Sequence, residues 1–383
     1  MSDKALLRVA LVLATATGGI GQHVRSLATR LPEALSPLNG HSKVAVTVLG
    51  PSATEELFGF TALGAEFASL EIGVRLRPGA DISTVRRLRG LAREFDVVHA
   101  HGLRAGSLAA LALGRFSPRP GSECPRLVVT WHNKVFATGI NRVVLAALER
   151  HVARSADVTL GASADLVELA RRRGARDARL CPVAAPELPP ATQSREQIRA
   201  SLGVADRPLV LAVGRLAPQK GYPILLNAAH GWRQQNPAPL VLIAGEGPER
   251  AVLQERIDAE NLPVRLLGHR ADVSDLLAAA DVVVLPSGWE ARALIAQEAL
   301  RAGRPLVATA VGDVPDLVGE AALLIPYGDV AALSQAVIRV LADPDQAARL
   351  ATIGPRQAAS WPTESDTVTQ VATIYSELLK SRG

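Results

Sequence analysis

Only two of the 383 residues are cysteine, Cys124 and Cys181, too few for a disulfide framework or for a four-ligand zinc site of their own. Aromatic residues make up 3% and methionine occurs once. The apolar content, 48%, is carried mainly by Ala, Val and Leu, a mix that suits helices packed on buried parallel strands better than an all-β sandwich. No apolar run reaches the roughly 18–20 residues that a membrane span needs. The start, Met1 to Arg8, has no basic segment leading into an apolar stretch and a small-residue cleavage site. These absences predict a cytoplasmic protein in a reducing compartment. Charged residues at 21% exclude a disordered or low-complexity chain, and the length allows two domains with substantial cores.

Charge is unevenly placed. Residues 1 to 190 hold 24 Lys and Arg against 16 Asp and Glu, whereas the remainder holds 18 against 21. A basic first half favours an anionic partner: nucleic acid, an acidic lipid surface or a phosphorylated small molecule. The Arg-rich segments lack interleaved aromatics and any nucleic-acid reader motif, so no nucleic-acid partner is expected.

Short β-branched or Leu-rich runs alternate with helical patterns, which reads as βαβ units around parallel sheets. In the first half the runs are Leu7 to Leu13, Val44 to Leu49, Val97 to Ala100, Leu127 to Thr130 and Val158 to Ala162. The second half repeats the rhythm at Leu209 to Val213, Leu240 to Ala244, Val264 to Leu267, Val282 to Pro286, Leu306 to Thr309 and Ala322 to Ile325. Proline clusters between the two series, at Pro182, Pro186, Pro189, Pro190 and Pro208. The predicted fold class is therefore α/β with two Rossmann-like, doubly wound domains: 1–185, a linker at 186–207, 208–360, and a final helical segment at 361–383 that follows Trp361-Pro362.

Ligands of such sheets bind beyond the carboxyl ends of the strands, and the candidate residues are found there. Gly18-Gly19-Ile20-Gly21-Gln22-His23 follows the first strand and opens a helix, where backbone amides can approach an anion. A dinucleotide fingerprint would need glycine where Val24 stands and an acidic residue near Leu49-Gly50-Pro51. The plain alternative is a tight turn with no ligand. His99 and His101 lie on one side of their strand by the two-residue period. They could ligate a metal, yet no carboxylate or third histidine lies at helpful spacing, so no metal is expected and His99 reads as a histidine satisfied by neighbouring backbone. His132 sits at a strand end beside Asn133 and Lys134, where polar side chains should face a site.

In the second half, Gly214-Arg215-Leu216-Ala217-Pro218-Gln219-Lys220-Gly221 directly follows a strand, and its two cations could converge on one diphosphate. The alternative is a pair of solvated surface cations. Gly245-Glu246-Gly247-Pro248 repeats the device, leaving room for a flat base or ribose. Pro286-Ser287-Gly288-Trp289-Glu290 reads as leading into a helix from Ala291 to Ala302 that contains Glu298. On one helix these carboxylates would lie roughly 12 Å apart, too far for a glycosidase acid/base pair but suited to gripping two ends of an extended ligand.

Taken in order, these motifs resemble the retaining GT-B glycosyltransferases of family 4, the glycosyl transferases of group 1. The resemblance spans nearly the whole chain and rests on Gly18-Gly19 with His23, Asp96-x-Val98-His99-x-His101, Thr130-x-His132, Gly214-Arg215-Leu216 with Lys220-Gly221, Gly245-x-Gly247-Pro248, the spacing of Glu290 to Glu298, and Gly303-x-Pro305-Leu306-Val307-Ala308. It implies a hexosyl transfer from a nucleotide sugar, of UDP or GDP type, to an acceptor hydroxyl with retained configuration, without metal or cofactor. It further implies that Arg215 and Lys220 bind the diphosphate, Glu298 the ribose and Glu290 the donor sugar. Gly18, Gly19, Gly245, Gly247, Ala293 and Leu294 would complete donor binding, and His132 would stand beside the reacting anomeric carbon. The first domain would then bind the acceptor, be it a glycan, a lipid-linked molecule or a small molecule, and the last helix would cross back to it.

Two segments depart from the family pattern. Glu290-Ala291-Arg292-Ala293-Leu294 stands where the first glutamate is commonly followed by Gly/Ser-Phe-Gly, and Gly312-Asp313-Val314-Pro315-Asp316 replaces Gly-Gly-x-Pro-Glu. Arg292 has no evident role in the sequence, and the altered segment leaves open a binding module of the same fold without turnover. Arg86, Arg87, Arg89 and Arg93 with Val85, Leu88 and Leu91 form an amphipathic basic helix, either a solvated face or a peripheral contact for an anionic membrane.

Overall fold

The computed structural model describes residues 6–16, 18–39, 43–73, 76–114, 124–134, 139–204 and 206–381; the first five residues of the start discussed above lie outside them. The chain divides into two compact units, residues 1–186 with 362–383, and residues 187–361.

Among the described residues unit 1 holds seven strands: β1 (Leu6–Leu13), β2 (Lys43–Gly50), β3 (Glu66–Ser69), β4 (Val97–His101), β5 (Arg126–Trp131), β6 (Val158–Gly161) and β7 (Ala178–Leu180). They pair in parallel in the order β3-β2-β1-β4-β5-β6-β7. The order reverses between β1 and β4, which makes the ends of those two strands the topological switch point. Central strands are buried throughout: all five residues of β4 and the last five of β1 are inaccessible. A strand covered on both faces needs apolar residues at consecutive positions, hence the continuous runs in the sequence.

Unit 2 repeats the plan with β8 (Leu209–Val213), β9 (Leu240–Ala244), β10 (Val264–Gly268), β11 (Val282–Leu285), β12 (Leu306–Thr309) and β13 (Ala322–Ile325), ordered β10-β9-β8-β11-β12-β13. The two-residue alternation of side chains is plain here. Leu209, Leu211, Val283 and Leu285 enter one apolar cluster, while Val210, Ala212, Val282 and Val284 enter another on the opposite face. Each buried Val or Leu side chain contributes about 1.5–3 kcal/mol relative to exposure. The switch point falls between β8 and β11.

Two strands were not legible in the sequence. Glu66–Ser69 and Ala178–Leu180 are the outermost strands of the unit 1 sheet. An edge strand pairs on one side only and tolerates polar residues and short length, so neither writes an apolar run. The stretch read as a linker at 186–207 is also more ordered than a linker. It contains a helix, Arg195–Ser201, closed by a reciprocal capping box between Ser194 and Gln197. Ile198 is buried in the unit 2 core, and Arg195 and Arg199 both reach Asp281, at 2.5 and 3.2 Å.

The final helix, Glu364–Lys380, is capped by Thr363 and Asp366 and belongs to unit 1, where Val368, Val371, Ala372, Ile374 and Tyr375 join the core of β1, β2 and β4. The basic segment forms a helix over Pro78–Leu91 followed by a short turn. Its apolar stripe is turned inward, with Leu88 fully buried. Arg89 donates to the carbonyls of Leu111 and Ala112, both at 3.0 Å, at the end of the helix Gly102–Ala112. The surface left to solvent carries Arg86, Arg87 and Arg93 together with the exposed Ile82. Among the described residues no helix is long and apolar enough to cross a membrane.

Candidate functional site

In unit 2 the loops that follow β8 and β11 carry the charged residues. Gly221 makes their approach possible: it has φ of +67°, and a Cβ there would lie 2.0 Å from the Pro286 carbonyl oxygen. Gln219 ties the loops twice, donating from Nε2 to the Trp289 carbonyl and accepting from the Gly288 amide, each at 2.7 Å. Between them Lys220 Nζ donates to Glu290 Oε1 at 2.6 Å, with Glu290 9% exposed along its side chain. Arg215, at the start of the first loop, is exposed and has no ion-pair partner among the described residues. A fixed ion pair beside an unpaired guanidinium leaves net positive charge at the carboxyl ends of β8 and β11.

Gly245 and Gly247 are explained by backbone contact within unit 2. A Cβ at 245 would meet the Gly214 carbonyl oxygen at 2.0 Å, and one at 247 the Leu216 carbonyl oxygen at 2.3 Å. The loop after β9 is thus seated on the loop that carries Arg215.

The helix expected from Ala291 begins later, at Leu294, and runs to Arg301. Glu290 therefore lies on a loop and only Glu298 lies on the helix, so their separation cannot be counted along one helix axis. Ala293 is the N-cap position and Leu294 the first helical residue. Removal from water raises the Glu298 carboxyl pKa to about 7, against a smaller opposing effect from Arg301.

Arg292, unassigned by the sequence, points into unit 2. Its guanidinium lies 3.6 Å from Asp313, with side-chain exposures of 10% and 12%, and 5.9 Å over the Trp361 indole. The Asp313 amide donates to the Glu290 carbonyl at 3.0 Å, and Gly312, at φ +55°, approaches the same carbonyl so closely that a Cβ would be 1.9 Å away. The two departures from the family pattern are in contact with each other, and both adjoin Glu290.

In unit 1 the helix Gly19–Asn39 starts one residue after Gly18. Gly21 has a steric reason of its own, since a Cβ would run into the Phe58 ring at 2.1 Å. His23 is buried in the first turns of that helix, His101 ends β4 and His132 follows β5. Their ring centroids form a near-equilateral triangle with sides of 5.3, 5.4 and 5.5 Å. His101 Nδ1 and His132 Nε2 are 3.1 Å apart. Burial, reinforced for His99, His101 and His132 by neighbouring imidazoles, holds all four rings neutral, with His23 brought down to about 4.

This corrects two sequence expectations. A third histidine does come to His101, supplied by His23 and His132 from other segments, and spacing along the chain could not show it. His99 is satisfied by side chains, not by backbone: Nδ1 pairs with the Tyr375 hydroxyl and Nε2 with Thr130 Oγ1, both at 2.6 Å.

Comparison with known proteins fixes the class. The fold is that of GT-B glycosyltransferases: the crystal structure of HepE from Anabaena, in complex with UDP and glucose, matches with a TM-score of 0.78 over 98% of this chain and all of its own, at 20% identity. WaaG, a glycosyltransferase involved in lipopolysaccharide biosynthesis, matches at 0.73 over 96% of this chain and 99% of its own, at 17% identity. Residues 18–186 match the family described as glycosyl transferase 4-like domain, and residues 194–357 match glycosyl transferases group 1. The D-inositol 3-phosphate glycosyltransferase of Corynebacterium urealyticum is 31% identical over 314 residues, covering 76% of this chain and 73% of that protein. The alpha-D-kanosaminyltransferase of Streptomyces kanamyceticus is 29% identical over 384 residues, covering 94% and 91%. The chain belongs to the group 1 glycosyl transferases, family 4 of the GT-B enzymes, and is a glycosyltransferase.

Proposed function

We propose that this enzyme transfers a hexosyl group from a nucleotide sugar to an acceptor hydroxyl, with retention of anomeric configuration and no metal in the catalytic step. The observation that carries the reading is the cationic loop pair at the unit 2 switch point: exposed Arg215 beside Lys220, which is held at 2.6 Å by Glu290. As the bond to the anomeric carbon breaks, negative charge grows on the departing diphosphate. A preset guanidinium and ammonium stabilise that charge more than they stabilise the ground state, by a few kcal/mol in order of magnitude.

In this reading Glu290 orients Lys220 and accepts hydrogen bonds from the sugar hydroxyls, with the Ala293 and Leu294 amides at the helix start nearby. Glu298 takes the ribose, and the loops at Gly245 and Gly247 border the base. In unit 1 the Gly18 and Gly19 amides serve anion binding. His132 stands at the acceptor hydroxyl, whose proton passes to a donor phosphate oxygen as the new bond forms on the face the diphosphate leaves. The acceptor is a hydroxyl compound held by unit 1.

HepE was crystallised with UDP and glucose, and a relative from Mycolicibacterium smegmatis is named as GDP-mannose-dependent, so UDP- and GDP-sugars form the first donor panel. Release of nucleoside diphosphate from one of them, with the anomer of the product determined by NMR, tests the reading. Binding without release from every donor, with acceptors supplied, would remove it. The binding-module alternative, suggested by the altered segment after Glu290, is not favoured: the relatives are named as transferases, and Arg292 in that segment is an interior side chain paired with Asp313.

A further inference from the structure

Four of the eight histidines of the chain gather at the carboxyl ends of β4 and β5 and on the first helix. His99 has both ring nitrogens occupied, and its ring lies 4.2 Å from that of His101, which limits how that ring can turn. The other three are differently placed. One ring nitrogen from each of His23, His101 and His132 lies within 4.8 Å of the other two. His23 Nε2 and His101 Nε2 are buried and have no hydrogen-bond partner. A buried polar atom left unmatched costs about 1–3 kcal/mol, so two such atoms beside a third imidazole point to a ligand.

We propose that His23, His101 and His132 form a three-nitrogen site for a divalent transition metal of the zinc type, and that the ion, once bound, withholds His132 from transfer. The donor set fits that class. Neutral imidazoles suit Zn²⁺, Co²⁺, Ni²⁺ and Cu²⁺, whereas Ca²⁺ and Mg²⁺ take oxygen ligands, of which the trio offers none. Bonds of about 2.0–2.1 Å in a tetrahedron place ligand nitrogens roughly 3.4 Å apart. Small ring rotations bring the three imidazoles there, and a fourth position stays open for water or a hydroxyl. The ion is a modulator in this proposal, outside the transfer step, and only its second half rests on the role given to His132.

The test is calorimetry of Zn²⁺ on the metal-stripped full-length protein without donor or acceptor, with Co²⁺ absorption as a second readout of nitrogen coordination. One ion per chain is expected, with affinity lowered at least about tenfold in His23→Gln and His101→Ala and unchanged in His230→Ala, which alters an exposed histidine paired with Glu260. His23→Gln keeps a polar side chain of similar reach, so a variant that folds remains should His101→Ala not. No binding, or equal binding by His23→Gln and the parent, overturns the site. With the donor found above, Zn²⁺ should slow turnover of the parent and not of His23→Gln. Binding that leaves turnover unchanged overturns the second half. If no donor turns over at all, the calorimetry still decides the site by itself.

Discussion

Arg292 and Asp313 form an ion pair of 3.6 Å inside unit 2, from two segments that each depart from the family pattern. A buried charge is costly unless paired, and removing one partner leaves the other uncompensated. The pair also borders the Glu290 backbone through the Asp313 amide. Its two members therefore depend on each other.

Arg292→Phe or Asp313→Gly alone should lower stability by about 2–4 kcal/mol, read as the midpoint of urea unfolding. The double variant, which restores the common family residues at both positions, should lie closer to the parent than either single. Additive losses would show that the two residues do not compensate each other.

Lys220→Ala removes one cation and leaves Glu290 buried without its partner. Affinity for a nucleoside diphosphate should fall by about 10- to 100-fold, the scale of one or two charge-assisted hydrogen bonds. Lys220→Ala with Glu290→Gln should bind no worse than Lys220→Ala alone. Arg215→Ala should weaken binding without changing the unfolding midpoint, since that side chain is exposed and unpaired. Unchanged calorimetric affinity in both cation variants would refute the diphosphate assignment.

Glu298 gives a pH signature. Its carboxyl is raised to about 7 in the folded chain, above the unfolded range near 4.5. Between those values the folded state holds a proton that the unfolded state has lost, so stability falls as pH rises through the window and stays lower above it. Affinity for a nucleotide sugar should move the other way, improving as the carboxylate forms and can accept from two ribose hydroxyls. Both slopes should flatten in Glu298→Gln, measured by unfolding and by calorimetry from pH 5 to pH 8.

Gly221→Ala introduces a methyl group 2.0 Å from the Pro286 carbonyl oxygen at a φ of +67°. The loops that carry Lys220 and Glu290 must separate to admit it. The expected result is a loss of more than about 1 kcal/mol of stability together with weaker nucleotide binding. Gly18→Ala, with no atom within 4 Å of the added carbon, is the control for stability.

Tyr375→Phe removes the hydroxyl that His99 Nδ1 meets at 2.6 Å. Stability should fall by about 1–3 kcal/mol, the cost of an unmatched buried nitrogen, with the final helix still folded by circular dichroism. The contact is invisible in the sequence because 276 positions separate the two residues.

Eleven strands and the loops that follow them could be read from the chain itself. A parallel strand covered on both faces must be apolar at successive positions, and that demand is local enough to appear as a run of letters. The order of motifs placed Arg215, Lys220, Glu290 and Glu298 beyond strand ends by the same logic. The two edge strands of unit 1, Glu66–Ser69 and Ala178–Leu180, and the helix inside the supposed linker escaped because they are short and their stability comes from one neighbour or from caps, whereas the unit 2 edge strands β10 and β13 keep apolar runs and were read. What folding alone decided was which distant side chains meet: His23 with His101 and His132, His99 with Tyr375, Arg292 with Asp313, Lys220 with Glu290. Periodicity carries information about neighbours along an element, whereas these meetings depend on how helices cross and loops close in three dimensions, which no local pattern encodes.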